Sequence, residues 1–494
     1  MTNQKFDFAS LSAAADLLPA KAPVTFAHAP AGLDALALAD LARLLHRRTE
    51  HCVALIHVAR DEQRLTALSQ GLKFFAPEIE QILLPAWDCL PYDRVGPNAG
   101  VASGRLKALS RIAQLGQSGE KPGAPVIVIT TVASALQRVA PRDIILERSL
   151  VARAGQLVDM DAIQRFLDAN GYQRAGMVVE PGEYAVRGGI LDIFAAGAST
   201  PVRLDFFGRT LETVRAFDPE SQRTTQKLDE ISLIQVSEVN LDEAAIGRFR
   251  QGYVGAFGAI TDDDPLYASI SAGRRYRGME HWLPLFLERL TDVFALAGAA
   301  QVGFDYQAEA AATELLDQIG DHYANREGAL GQAGFGAPPY KALAADQLYL
   351  SSREWSAVAA GPVLRFTPFE PAQGAGRIVD LGGREGREFA AERASDAGSV
   401  IDAAVAHIVA EQSAGRTVLV AAASVGARDR LMVLLGDHGL SATGAVDCFS
   451  ELEQLGKAAT GAVSATGFAA YPLERGFTTP ALTVLCEPDI LGER

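Results

Sequence analysis

Gly182-Glu-Tyr-Ala-Val-Arg-Gly-Gly-Ile-Leu-Asp-Ile-Phe194 is followed, after a small-residue break, by Pro201-Val-Arg-Leu-Asp-Phe-Phe-Gly208 and Leu211-Glu-Thr-Val-Arg-Ala-Phe217. These short runs are rich in β-branched and aromatic residues and are separated by turn residues, which predicts an antiparallel meander. In the middle run Val202, Leu204 and Phe206 fall on one face, and Arg203 and Asp205 on the other. The first face has a core to cover; the second meets water or a partner. Gly188-Gly189 sits where the chain enters a strand, which suits a bulge or a close backbone approach. Just upstream, Asp161–Asn170 has helical spacing and Gly171 is its left-handed stop.

Working towards the N-terminus, residues 24–140 alternate strand and helix. Strands are expected at Val24–Ala27, Val53–Val58, Ile82–Leu84 and Val126–Thr130, and helices at Leu33–His46, from Asp61 to Phe75 and over Val132–Val139. That alternation implies a parallel sheet with covering helices. The first strand–helix turn of such a fold is where phosphate would bind. There it needs glycines for close approach, a lysine for the β/γ-phosphates and a Ser/Thr for Mg²⁺. The turn here reads Ala27-His-Ala-Pro-Ala-Gly-Leu-Asp34, keeping Gly32 but placing Leu33 and Asp34 at the other two positions. A carboxylate there repels phosphate, and Pro30 removes a backbone donor. The turn is therefore read as non-binding, and His28 as a satisfied loop residue. The loop Pro85-Ala-Trp-Asp-Cys-Leu-Pro-Tyr-Asp-Arg94, with two prolines and two aromatics, is expected to be a rigid packed loop.

Beyond residue 236 the pattern turns helical. Val302-Gly-Phe-Asp-Tyr-Gln307 offers Asp305 followed by Tyr306, where a phosphate-hydrolysing strand would end in Asp-Glu. With neither the lysine nor the acidic pair, Mg²⁺-nucleotide chemistry lacks both halves. Arg274-Arg275-Tyr276-Arg277 is the one concentrated basic run and is read as a solvated face or a lock to a neighbouring domain. Gly331–Pro339 reads as a loop, and Pro371–Gly383 as a loop that opens a new domain. Helices at Ser399–Gln412 and Ala427–His438 and strands at Thr417–Ala421 and Leu482–Glu487 define a last, small α/β domain. No catalytic constellation is visible in it.

At 494 residues the chain is too long for one core. Its hydrophobic content of 48% and charged content of 21% are those of a globular protein. A net charge of −15 argues against a broad duplex-DNA footprint, which needs a basic stripe. Cys52, Cys89, Cys448 and Cys486 have no metal-ligand spacing and are expected to be free thiols in a reducing cytosol, so the expected location is cytoplasmic. No metal site is expected, no signal peptide is visible, and no apolar run is long enough to span a bilayer.

The run from Tyr172 to Phe194, with Arg203-Leu-Asp-Phe-Phe207 after it, resembles the UvrA-docking domain shared by the excision-repair protein UvrB and the transcription-repair coupling factors (Mfd). The Gly-Glu-Tyr-x-x-Arg-Gly form is closer to the coupling factors. The Trp/acid/Leu-Pro-Tyr-Asp loop and Gly278-Met-Glu-His-Trp-Leu-Pro-Leu-Phe-Leu-Glu288 also resemble that family. Only Asn98–Arg105 separates the loop from the next helix, leaving no room for the DNA-threading hairpin of UvrB. The resemblance implies an α/β multidomain chain with four parts. Residues 1–145 would form a degenerate RecA-like nucleotide fold, 146–235 an inserted antiparallel β-rich docking domain, 236–365 a return segment completing the first fold, and 366–494 a further small α/β domain. It implies an adaptor that recruits UvrA to lesions where RNA polymerase has stalled. Arg174, Arg187 and Phe194 are the UvrA-binding candidates, and the two arginines are expected to converge on one exposed face. No catalytic residue and no cofactor are expected in this stretch. Contacts with RNA polymerase and duplex DNA, and motor domains using ATP and Mg²⁺, would lie beyond Arg494. The Leu-Gly-Glu-Arg ending, which lies mid-protein in the family, suggests a truncated chain. The alternatives are an active nucleotide-driven DNA enzyme or UvrB-like DNA-damage protein, and a structural or autoinhibitory module whose docking face is covered.

Overall fold

Four strands from the first part of the chain and three from beyond residue 300 make one sheet. In spatial order they are Arg377–Asp380, Val24–Ala27, Val363–Phe366, Gln301–Phe304, Leu55–Ala59, Val126–Thr131 and Glu80–Leu84, and every neighbouring pair is parallel. The computed structural model describes residues 15–115, 121–259, 264–298, 300–330, 340–371, 376–394, 399–441, 443–458 and 465–492. Val24–Ala27, Leu55–Ala59 and Val126–Thr131 are buried at every residue. Burial on both faces is what near-continuous apolar strands predict. Leu55, Ile127 and Ile129 face one cluster together with helices Leu33–Arg48 and Glu62–Phe75. Ile56, Val58, Val126 and Val128 face the other, with helix Ala99–Leu115. Asp61 caps its helix by accepting the Arg64 N–H at 2.8 Å, as its position suggests.

Arg377–Asp380 departs from the sequence reading, which put Pro371–Gly383 in a loop opening the last domain. This short strand pairs with Val24–Ala27 as the edge of the first sheet. Four residues beside a glycine-rich stretch carry too little periodicity to be read alone. The loop expected at Gly331–Pro339 lies outside the described residues.

The inserted domain carries six strands in the order Thr224–Leu228, Thr210–Phe217, Val202–Phe207, Ile190–Ile193, Glu183–Arg187 and Gln173–Arg174, antiparallel except for the last pair. Tyr184, Leu191, Ile193, Val202, Leu204 and Val214 make its inner face and pack on Ile163 and Leu167 of helix Met160–Ala169. A two-stranded ladder, Ser149–Arg153 with Glu230–Ile234, brings the chain in and out.

The last domain has a sheet of its own, ordered Arg384–Glu385, Phe477–Thr478, Leu482–Cys486, Thr417–Ala422, Thr466–Ala470 and Thr443–Ala445. One face packs on helices Val400–Ser413 and Val425–Asp437. The other face contributes Leu419, Ala469, Tyr471, Phe477 and Val484 to the cluster that holds Leu33, Phe74 and Phe75. The first sheet and the last domain therefore share a core. Among the described residues no helix is long and apolar enough to cross a membrane.

Candidate functional site: a docking face and a filled phosphate turn

The start of helix Leu33–Arg48 is the anion site of a nucleotide fold, because its free N–H groups and dipole favour negative charge. Here those groups are already satisfied. Asp34 turns its own carboxylate back and accepts Gly32 N–H at 3.0 Å and Ala35 N–H at 2.8 Å. The N–H groups of Leu33 and Asp34 bond Pro30 O. Leu33 is 0% exposed, and Gly32 (φ 91°) lies so close to the last domain that an added Cβ would meet Phe477 Cε1 at 2.9 Å. Asp34 (4% exposed) and Asp305 (6%) both pair with Arg64, whose Nε and Nη2 reach Asp305 at 3.0 and 3.1 Å while Nη2 also holds Asp34 Oδ2. Burial pushes the Asp34 carboxyl above its ordinary value, with Arg64 opposing. Burial also works against the charge on Arg64, but the two carboxylates outweigh it and hold the guanidinium above its usual value. An ATP phosphate and its Mg²⁺ find no free partner in this turn: the donors are used and the counter-ion is internal, although a cavity of about 1020 Å³ lined by Gly32, Asp34, Arg60 and Arg64 opens beside it. Arg64 is the residue that reading by motif missed. Its only signal was a carboxylate at position 34 that some cation had to neutralise.

His28 bonds Asp380 Oδ1 through Nδ1 at 2.8 Å, a satisfied loop residue. The loop Pro85–Arg94 is packed. Tyr92 Oη donates to Leu343 O at 3.0 Å, and Trp87 Nε1 donates to Glu238 Oε1 at 2.8 Å. Glu238 also pairs with the fully buried Arg105 at 3.1 Å, and Arg275 donates to Ser237 Oγ at 2.6 Å. These contacts fix the exit of the inserted domain to the first fold, so the basic run acts partly as a lock.

The outer face of the six-stranded sheet has a small cluster of its own. Phe194 (7% exposed) packs with Val178, Ala185 and Phe217, so this candidate supports the face from beneath rather than presenting itself. Arg187 is exposed at the end of its strand and donates through Nη2 to Gly176 O at 2.9 Å. It makes no pair with Glu183 or Asp192. Glu183 accepts the N–H groups of Val179 and Glu180, and Asp192 is held by both Nε and Nη2 of Arg203 at 2.7 and 2.9 Å. Arg203 thus faces a buried carboxylate as well as the surface, which the alternation alone did not show. Met177 and Val179 are exposed apolar residues, as is Phe207 (76%), whose hairpin lies at the same end of the sheet as Arg187. Arg174 is exposed on the edge strand, in register with Tyr184, whose ring belongs to the inner core. Residues in register share a face, and Arg187 follows the outward-facing Ala185 by two. The two arginines therefore lie on opposite faces of the same edge, and the convergence expected from sequence is corrected by the parallel pairing of Gln173–Arg174. Among the described residues no group of His, Cys, Asp and Glu is arranged to hold a metal ion.

Residues 150–238, the six-stranded unit with its connecting ladder, match the family described as the UvrB interaction domain. The chain is thus a multidomain α/β protein whose parallel sheet carries a unit that matches the UvrB interaction domain. Over larger stretches it is similar to proteins named transcription-repair-coupling factor. It is 34% identical over 246 residues to that of Escherichia coli (strain K12), covering 50% of this chain and 21% of that protein. With that of Myxococcus xanthus it shares 39% over 199 residues, 38% of this chain and 16% of that protein. With that of Rickettsia bellii (strain RML369-C) it shares 24% over 436 residues, 88% of this chain and 36% of that protein. The resemblance read from residues 172–207 is borne out. The matched stretches span between 16% and 36% of these relatives' own length.

Proposed function

We propose that this chain is an adaptor that docks UvrA through the inserted domain and so serves transcription-coupled excision repair. The observation that carries the reading is the match of residues 150–238 to the UvrB interaction domain, on a sheet whose outer face leaves Arg187 exposed with its guanidinium on Gly176 O, next in sequence to the exposed Met177. A guanidinium near exposed apolar side chains suits a carboxylate on a protein surface, because its fork makes two parallel hydrogen bonds and apolar neighbours exclude water. Arg174 adds charge at the edge, and Phe194 holds the face from within. The first sheet and the last domain are a mount: the shared core fixes them together, and in the turn that would take ATP the donors are already used. In this reading the stretch has no nucleotide cofactor and no chemistry of its own. RNA polymerase, duplex DNA and an ATP- and Mg²⁺-dependent motor would be engaged by parts beyond Arg494.

The test is co-elution. Purified UvrA mixed with this chain should move to an earlier volume on size-exclusion chromatography, with both proteins in the peak. UvrA eluting unchanged in the presence of excess chain would overturn the proposal.

A further inference from the structure

One rung of directly opposed residues crosses the outer face over five strands: Ala185, Asp192, Arg203, Arg215 and Lys227. Asp192 and Arg203 neutralise each other. Arg215 and Lys227 are both exposed, and among the described residues neither makes an ion pair. Like charges directly opposite destabilise an antiparallel pair, so this one works against the fold that carries it. A single lysine on an edge strand is enough to discourage unwanted pairing, which leaves Arg215 unexplained. Thr224–Leu228 is the edge of the sheet, and among the described residues its backbone is laddered only on the Thr210–Phe217 side. An open strand edge beside two unneutralised cations is suited to an extended acidic segment that adds as a further strand.

We infer that Arg215, Lys227 and the open edge Thr224–Leu228 form a second contact of the docking surface, which takes an acidic, extended segment of the protein partner. The inference rests on the docking reading above. Arg215 lies three strand spacings across the sheet and two residues along it from Arg187, about 16 Å, within the width of one ordinary protein interface. A nucleic acid is the poorer occupant. The chain carries a net charge of −15, and a rung with two free cations neutralises few phosphates.

Lys227→Glu separates binding from stability, because it replaces a repulsive cross-strand pair with an attractive one opposite Arg215. Its melting temperature should hold or rise while its affinity for UvrA falls at least fivefold. Arg215→Glu/Lys227→Glu should lose tenfold or more and bind with a weaker dependence on salt. If the parent chain binds UvrA and both variants bind equally well, the second contact is refuted and the docking reading stands. If the parent chain does not bind UvrA, the docking reading falls and takes this inference with it. Loss of melting temperature together with affinity in Lys227→Glu would make the rung structural and overturn the inference. A short DNA duplex bound by the parent and released by Lys227→Glu would overturn the choice of a protein partner.

Discussion

Replacing Arg64 with methionine tests whether the phosphate turn is held shut from inside. The substitution keeps an unbranched stem like that of arginine but leaves Asp34 and Asp305 buried at 4% and 6% exposure with no counter-ion. Removing one partner of a buried ion pair costs about 3–5 kcal/mol, because the remaining charge stays desolvated. For a folding unit of this size that corresponds to a fall in melting temperature of roughly 10 °C. Without Arg64 the buried Asp34 carboxyl, already raised by burial, should bind its proton still more tightly folded than unfolded. A group whose folded pKa is raised contributes stability below its unfolded pKa and loses it as pH rises through the folded value. The deficit of Arg64→Met should therefore be small near pH 4 and full at neutral pH. Adding Asp34→Asn and Asp305→Asn should recover much of it. Scanning calorimetry of parent and variants across that range reads both quantities. An Arg64→Met protein that melts with the parent at pH 7, or whose deficit is the same at every pH, would refute the account of the turn.

The occupied donors of the turn also predict no saturable, Mg²⁺-dependent ATP binding by this chain at micromolar concentration, as read by calorimetry or a fluorescent analogue. With a net charge of −15, duplex DNA should bind weakly at physiological salt, and a steep salt dependence, at about 0.9 in log–log slope per phosphate, would reveal a basic groove not seen here. His57 is buried with both ring nitrogens unpartnered, and burial holds it down to about 4 from its ordinary 6.5. Because its folded pKa is depressed, the unfolded chain takes up the proton first as pH falls. Stability should decline between pH 6.5 and 4 by up to about 3 kcal/mol, and His57→Leu should flatten that decline in urea titrations. An equally steep acid limb in the variant would count against this assignment.

Much of the architecture was legible because it is written locally. Val24–Ala27 and Val126–Thr131 are continuous apolar runs, the Asp61 cap precedes its helix directly, and the meander's alternation put Val202, Leu204 and Phe206 on the core side as found. Leu33 and Asp34 were readable as a broken phosphate turn from residue type alone. What lay beyond reach depends on residues distant in sequence. Arg64 meets Asp305 across 241 positions, and Phe477 of the last domain approaches Gly32 too closely for a side chain there. No spacing rule shows either. The parallel register of Gln173–Arg174, two residues long, set Arg174 on the face opposite Arg187, and so short a strand gives no periodicity to count. The strand Arg377–Asp380 was hidden for the same reason.

The central claim is that Arg187 anchors UvrA without helping to hold the domain together. Among the described residues its side chain makes one hydrogen bond, to Gly176 O, which is exposed to water and contributes little to folding. Isothermal titration of UvrA into the parent chain and into Arg187→Ala, with melting temperatures measured on the same samples, tests it most directly. The account predicts an affinity loss of about 2 kcal/mol, roughly thirtyfold, at an unchanged melting temperature. Equal affinity in the two proteins, or an Arg187→Ala domain that unfolds while its folded remainder binds normally, would contradict it.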